Sequence, residues 1–116
     1  METHSRSPTP TWTPLLTTPP YPDYSSRYNV VVATTTGGLD ELFQTDHLNL
    51  YLISTAVPGV TRTYTTGRAM RADVVNVRVW LGIHFRSADI ASRDLGLQLS
   101  GWTIDHYFRP VDGHDR

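Results

Sequence analysis

Apolar and polar positions change period several times along this chain, and each change predicts an element. In residues 68–81, Ala69, Ala72, Val75 and Val79 recur at three- and four-residue spacing, with Met70, Val77 and Trp80 close by. That spacing predicts an amphipathic helix, closed by Gly82. A second stripe, Leu95, Leu99, Trp102 and His106, falls at i, i+4, i+7 and i+11. It predicts a helix from about 88 to 108, with Ser87 as N-cap, Pro110 as stop and the stripe as core. Residues 25–43 are less regular. Ser25 or Ser26 reads as an N-cap, and Val31, Val32, Leu39, Leu42 and Phe43 can line a helix. The β-branched run from Val30 to Thr36 makes a strand over 29–35 a competitor, and Gly37-Gly38 costs a helix about 1 kcal/mol per glycine. Asp40 and Glu41 then begin a better helical turn. Leu48, Leu50 and Leu52 alternate, Val57-Pro58-Gly59-Val60 is a turn signal, and residues 61–66 are β-formers. A short hairpin fits this stretch, and so does an irregular loop.

Ahead of these elements, residues 1–23 hold six of the eight prolines. Prolines at this density exclude helix and strand ladders alike, so the segment is expected to be extended, its first ten residues disordered. Trp12, Leu15, Leu16 and Tyr21 can anchor it on a neighbouring surface. The organisation expected is a proline-rich extended segment over 1–24, a helical domain fragment over 25–111 and a polar tail over 112–116. The fold class is mainly α: a partial helical bundle of about three helices, needing other surfaces to cover it.

Composition removes several functions. Net charge is −1 over 116 residues, which gives no support for nucleic acid or an anionic membrane as partner. No apolar run is long enough to span a bilayer, and the polar, proline-rich N-terminus does not read as a secretory signal. Localisation stays open. There is no cysteine, so disulfides and thiolate metal sites are excluded. All ten basic residues are arginine. No lysine can therefore act as phosphate anchor, base or Schiff-base nucleophile. His4, His47, His106 and His114 show no metal-ligand spacing and read as structural or solvent-exposed.

The candidate chemistry lies in residues 78–89, Arg-Val-Trp-Leu-Gly-Ile-His-Phe-Arg-Ser-Ala-Asp. On one unbroken helix Arg78 and His84 would point about 240° apart, at roughly 100° per residue. They share a site only if the helix breaks between them, and Gly82 is the residue that permits a left-handed break. A guanidinium at one helix end and an imidazole before the next would then face one small volume suited to an oxyanion.

These residues, with Trp-Thr-Pro-Leu-Leu at 12–16, Pro-Tyr-Pro-Asp-Tyr at 20–24 and the serine-led helix after it, resemble the C-terminal part of vanadium-dependent haloperoxidases, which belong with the phosphatidic-acid-phosphatase-like superfamily. The resemblance covers roughly residues 12–111. It implies a mainly helical fold holding vanadate or phosphate between helix ends, in a pocket drawn from K-x6-R-P, P-S-G-H and S-R-x5-H-x3-D motifs. By that resemblance, His84 is the vanadium ligand and catalytic histidine, and Arg78 and Ser26 bind the oxygens of vanadate, the implied cofactor. The catalytic aspartate that orients the histidine falls on Ala88, with Asp89 one residue further and still a candidate. Val77 stands where the third motif has serine. Pro-Ser-Gly-His corresponds to Ser25-Ser26-Arg27-Tyr28, so arginine replaces the glycine of close backbone approach and a phenol with ordinary pKa of about 10 replaces the acid–base histidine. The lysine motif is absent, and the chain looks N-terminally truncated relative to the family.

Three functions are implied. The first is the family's peroxide-dependent halide oxidation at a His-ligated vanadate, expected to be impaired or lost here. Its partners would be a small anion, hydrogen peroxide and halide. The second is a phosphatase of the same superfamily with His84 as nucleophile. The third is a non-catalytic helical module completed by a second copy or by a missing N-terminal half.

Overall fold

The computed structural model describes residues 10–111. The expectations for the first nine residues and for the tail from 112 onward lie outside that range. Five elements follow in order: α1 (Arg27–Phe43), β1 (His47–Ile53), β2 (Thr61–Thr66), α2 (Gly67–Trp80) and α3 (Arg86–Tyr107). The fold is mainly α with one small antiparallel hairpin, in which Leu50 pairs with Tyr64 and Ile53 with Thr61 across the ladder. A register irregularity separates His47 from Leu50. No helix among the described residues is long and apolar enough to cross a membrane.

The Val30–Thr36 stretch resolves as helix. Thr34 and Thr36 return their hydroxyls to the carbonyls of Val30 and Val32, at 2.8 and 2.7 Å. This local bonding satisfies the threonines inside a helix despite their β propensity. The buried face of α1 is Asn29, Ala33, Thr36 and Gly37, which is small and polar rather than aliphatic. It meets a matching face of α3: Ala88, Asp89, Ser92, Gly96 and Ser100. The two backbones approach so closely that a Cβ on Gly96 would lie 2.6 Å from the Val30 carbonyl oxygen and 2.7 Å from the Ala33 Cβ. A Cβ on Gly37 would lie 2.6 Å from Ser100 Oγ. The glycine that costs α1 helix propensity is therefore what lets α3 pack against it.

This geometry corrects the apolar stripe expected as core. Leu99 is 41% and Trp102 52% exposed, and His106 is exposed beside Trp102. The helix presents its four-residue repeat of small residues inward instead. In α2 only Val75 of the expected apolar set is buried; Ala69, Ala72 and Trp80 are exposed. Among the described residues, the buried hydrophobic ones are Ala33, Leu48, Val75 and Ala88, a small set. Large apolar side chains stay exposed on all three helices, among them Val31 and Phe43 on α1, Trp80 on α2 and Trp102 on α3.

Helix boundaries also shift slightly. Thr66 caps α2 by accepting from the Ala69 N–H at 3.0 Å. Ser26 holds the N-cap position of α1 without a capping side-chain bond. The N-cap of α3 is Phe85 rather than Ser87, so α3 begins at Arg86.

Candidate functional site: an arginine–histidine corner at a helix break

The α2 helix ends where the sequence places its break. Gly82 takes φ 75°, and the N–H of Gly82 and Ile83 fold back to the carbonyls of Val79 and Arg78. A Cβ at Gly82 would lie 2.7 Å from the Trp12 ring, so glycine serves both the backbone turn and the docking of the proline-rich segment. Leu15 N–H donates to the Leu81 carbonyl at 3.0 Å and ties that segment down next to the break.

With the helix broken, Arg78 and His84 converge. They meet on a residue from the extended segment: Tyr21. Arg78 Nη2 donates to the Tyr21 hydroxyl oxygen at 3.0 Å, and that hydroxyl lies 3.1 Å from His84 Nε2. On the other side of the ring, His84 Nδ1 lies 2.8 Å from Asp23 Oδ1, which also accepts the Phe85 N–H at 3.2 Å. A carboxylate only accepts, so Nδ1 carries the proton. Nε2 is then the acceptor of the Tyr21 O–H, and the bonds run from Arg78 through Tyr21 and His84 to Asp23. The His84 side chain is 1% exposed, whereas that of Asp23 is 40%.

The other two candidates go elsewhere. Asp89 is fully buried at the α1–α3 crossing, where Asn29 Nδ2 donates to its Oδ1 at 2.8 Å. It makes no hydrogen bond with His84; the orienting carboxylate is Asp23. The cause is the early start of α3, which puts Asp89 in its first turn facing α1 rather than the break. Ser26 is also fully buried and accepts from Asn29 Nδ2 at 3.0 Å, while its N–H donates to Ser92 Oγ at 2.7 Å. Burial above all pushes the Asp89 carboxyl above its ordinary pKa, against the opposing pull of the Ser26 hydrogen bond. Asp89 Oδ2 and Asn29 Oδ1 are buried with no hydrogen-bond partner among the described residues.

Tyr28 and Arg27 occupy the remaining positions. Tyr28 is 55% exposed and stacks under the Arg78 guanidinium, 4.7 Å from the ring centre. Arg27 lies 4.9 Å over the Tyr21 ring. A cavity of about 320 Å³ opens beside the corner, lined by Tyr28, Val32, Tyr64, Asp73, Val77 and Arg78 among others. There Asp73 accepts from Arg62 at 2.6 Å and from Tyr64, and the Tyr64 hydrogen bond foremost holds the Asp73 carboxyl below its usual range. No cluster of His, Asp and Glu among the described residues has the geometry to hold a metal ion.

As they stand, these residues do not fit a bound vanadate. The His84 Nε2 lone pair is taken by Tyr21, the Ser26 hydroxyl is sealed into the helix crossing, and Arg78 is the one cation joined to His84 by the chain of bonds. Sequence reasoning found Arg78 and His84 and placed Tyr21 as an anchor. It missed Asp23 and Asn29. The available signal was Pro-Tyr-Pro-Asp, a phenol and a carboxylate on a proline-stiffened stretch entering a helix.

Residues 1–113 match the family model described as the VCPO second helical-bundle domain, and the chain belongs to that family. Among solved structures it is similar to a bacterial vanadium-dependent iodoperoxidase, at 26% identity and TM-score 0.71, over 81% of this chain and 23% of that one. The apo and holo structures of a bacterial vanadium-dependent chloroperoxidase share its fold, each at 20% identity and TM-score 0.68. They match 81% and 82% of this chain respectively, and 23% of theirs in both cases. The chain thus spans about 23% of the length of these neighbours. No curated protein matches it.

Proposed function

We propose that this chain is a haloperoxidase-type helical module that keeps the arginine–histidine corner of an oxyanion site but does not itself turn over peroxide and halide. One observation carries the reading: Ser26, the third oxygen-binding residue implied by the family motif, is wholly buried and bonded to Asn29 within the α1–α3 crossing. Among the described residues, the cation bonded into the corner that could neutralise an anion at His84 is Arg78, close to the Asp23 carboxylate. An oxyanion held by so few donors is bound weakly, because leaving part of a buried charge uncompensated costs several kcal/mol, about 3–5 in comparable settings. Arg27 and Tyr28, in place of a glycine and an acid–base histidine, support the same conclusion. The family match favours the haloperoxidase branch over the phosphatase branch.

The test is monobromodimedone bromination by the 116-residue chain with orthovanadate, hydrogen peroxide and bromide. No vanadate-dependent rate above the protein-free control is expected. Turnover that needs vanadate and disappears in His84→Ala would overturn the reading. Vanadate-inhibited hydrolysis of p-nitrophenyl phosphate would replace it with the phosphatase.

A further inference from the structure

The corner contains a feature that motif damage does not explain. A tyrosine from outside both helices reaches in and bonds the two residues that the family motif assigns to an oxyanion. Its hydroxyl oxygen accepts from Arg78 Nη2 at 3.0 Å, and its proton faces His84 Nε2 at 3.1 Å. Both are contacts that an oxygen of a bound oxyanion would make: one to the guanidinium and one to the imidazole nitrogen.

We infer that the Tyr21 hydroxyl is an internal ligand of the Arg78–His84 corner, and that displacing Tyr21 opens a latent site for a tetrahedral oxyanion there. This rests on reading the corner as the remnant of an oxyanion site. It adds the reason the site is closed and the residue that closes it.

Three observations converge on Tyr21. The phenol offers the corner a single oxygen, and Arg78 Nε remains buried without a hydrogen-bond partner among the described residues. A planar guanidinium presents Nε and Nη donors as a fork suited to two oxygens, so the donor set is larger than its present occupant uses. The His84 tautomer is the second. Asp23 fixes the proton on Nδ1 and aims the free lone pair of Nε2 at the place that Tyr21 fills. The imidazole is thus pre-set to accept a proton or to act as a ligand, and only Tyr21 occupies it. The third is how Tyr21 is delivered. It belongs to no helix or strand, and its N–H is bonded locally, to the Pro19 carbonyl at 2.9 Å. Removing its side chain breaks no element of the bundle.

The test is a titration of the full 116-residue chain with orthovanadate, followed by vanadium-51 NMR, in wild type, Tyr21→Ala, Tyr21→Leu and Tyr21→Phe. Wild type is expected to leave the vanadate signal unchanged. Tyr21→Ala is expected to bind vanadate at least tenfold more tightly than wild type, with inorganic phosphate competing. Adding His84→Ala should abolish that binding. Tyr21→Leu also falls short of the corner but keeps apolar contact for the segment, so it carries the same expectation should Tyr21→Ala lose folded dispersion. Tyr21→Phe keeps the ring in the way. It should exclude vanadate yet move the His84 Nε2 nitrogen-15 resonance, since that nitrogen loses its hydrogen bond. p-Cresol, the side chain of tyrosine as a free molecule, should displace vanadate from Tyr21→Ala. Equal vanadate affinity in wild type and Tyr21→Ala overturns the inference, and so does a folded Tyr21→Ala or Tyr21→Leu that binds none. Either result leaves the proposed lack of turnover standing, whereas turnover by wild type removes that reading whatever the titration shows.

Discussion

Two polar networks, only a few residues apart in sequence, are built on opposite principles. At the α1–α3 crossing, Ser26, Asn29, Asp89 and Ser92 are sealed between two helices, and all four are at most 2% exposed. At the helix break, His84 is buried, but the groups that hold it, Tyr21 and Asp23, come from an extended segment and are partly exposed. The family motif draws one residue from the first network and two from the second into a single pocket. Here they are divided. Ser26 and Asp89 are packed into the crossing, and Asp23 and Tyr21 stand beside His84. The corner depends on a glycine break, whereas the crossing depends on which way a helix's first turn faces.

The sharpest way to separate the two networks is to strain the crossing and leave the corner alone. Gly96→Ala puts a methyl 2.6 Å from the Val30 carbonyl oxygen and 3.1 Å from the Thr34 nitrogen, both backbone atoms inside a helix. They cannot turn aside as a side chain would. A loss of about 2–3 kcal/mol in urea unfolding is expected, at the upper end for overpacking. A neutral result would mean that the helices can separate at little cost, and that the buried network at their contact is not a rigid unit.

A smaller effect, of opposite sign, is expected at Asp89. Its carboxyl has a raised pKa in the native state, chiefly through burial. Below the ordinary carboxylate pKa it is protonated whether folded or unfolded, and its contribution to stability is complete. As pH rises through the higher native value, the folded chain must ionise a buried group that the unfolded chain ionises freely, so stability falls. Asp89→Asn removes this loss and supplies an N–H donor where Asp89 Oδ2 and Asn29 Oδ1 both lack a partner. At neutral pH the variant should gain on the order of 1 kcal/mol, the lower end of the cost of an unpartnered buried group. Unfolding curves across pH check the sign: wild type and variant converge in acid and diverge as pH rises. Asp73 works in the other direction. Its lowered pKa makes a contribution that is lost on acidification, and Asp89→Asn leaves that acid limb unchanged.

These particulars also show what the sequence could carry. The Arg78–Gly82–His84 geometry was legible because it is local: a known angle per residue and one residue able to break it. The helices α2 and α3 were legible from period and end signals, whereas α1 had a strand as competitor and the hairpin had an irregular loop. The helix contact was not legible, because the small residues at 88, 92, 96 and 100 form a weaker signal than the apolar stripe at 95, 99 and 102, of which Leu99 and Trp102 are exposed. Hydrophobicity marks a face to be covered, and here it marks faces that stay exposed among the described residues. Asp23 was illegible for a different reason. It lies 61 residues from His84, and only the docking of Trp12 and Leu15 at the helix break sets where it arrives.

The smallest expected effect is at Asp23, where the comparison is most exposed to refutation. Asp23→Asn keeps an acceptor at Oδ1 for the His84 Nδ1–H, so the imidazole tautomer and ring position should persist. What disappears is the negative charge, on a side chain that is 40% exposed. Water already screens much of that charge, so the change in unfolding free energy should stay below about 1 kcal/mol. The nitrogen-15 resonances of His84 should keep the pattern of a neutral ring protonated at Nδ1. If Asp23→Asn instead cost several kcal/mol, the corner would depend on a charge held away from solvent, as the crossing would around an ionised Asp89. The contrast between a sealed network and a partly open one would then be lost. A small loss with an intact tautomer means that the hydrogen bond, rather than the charge, holds His84 at the helix break.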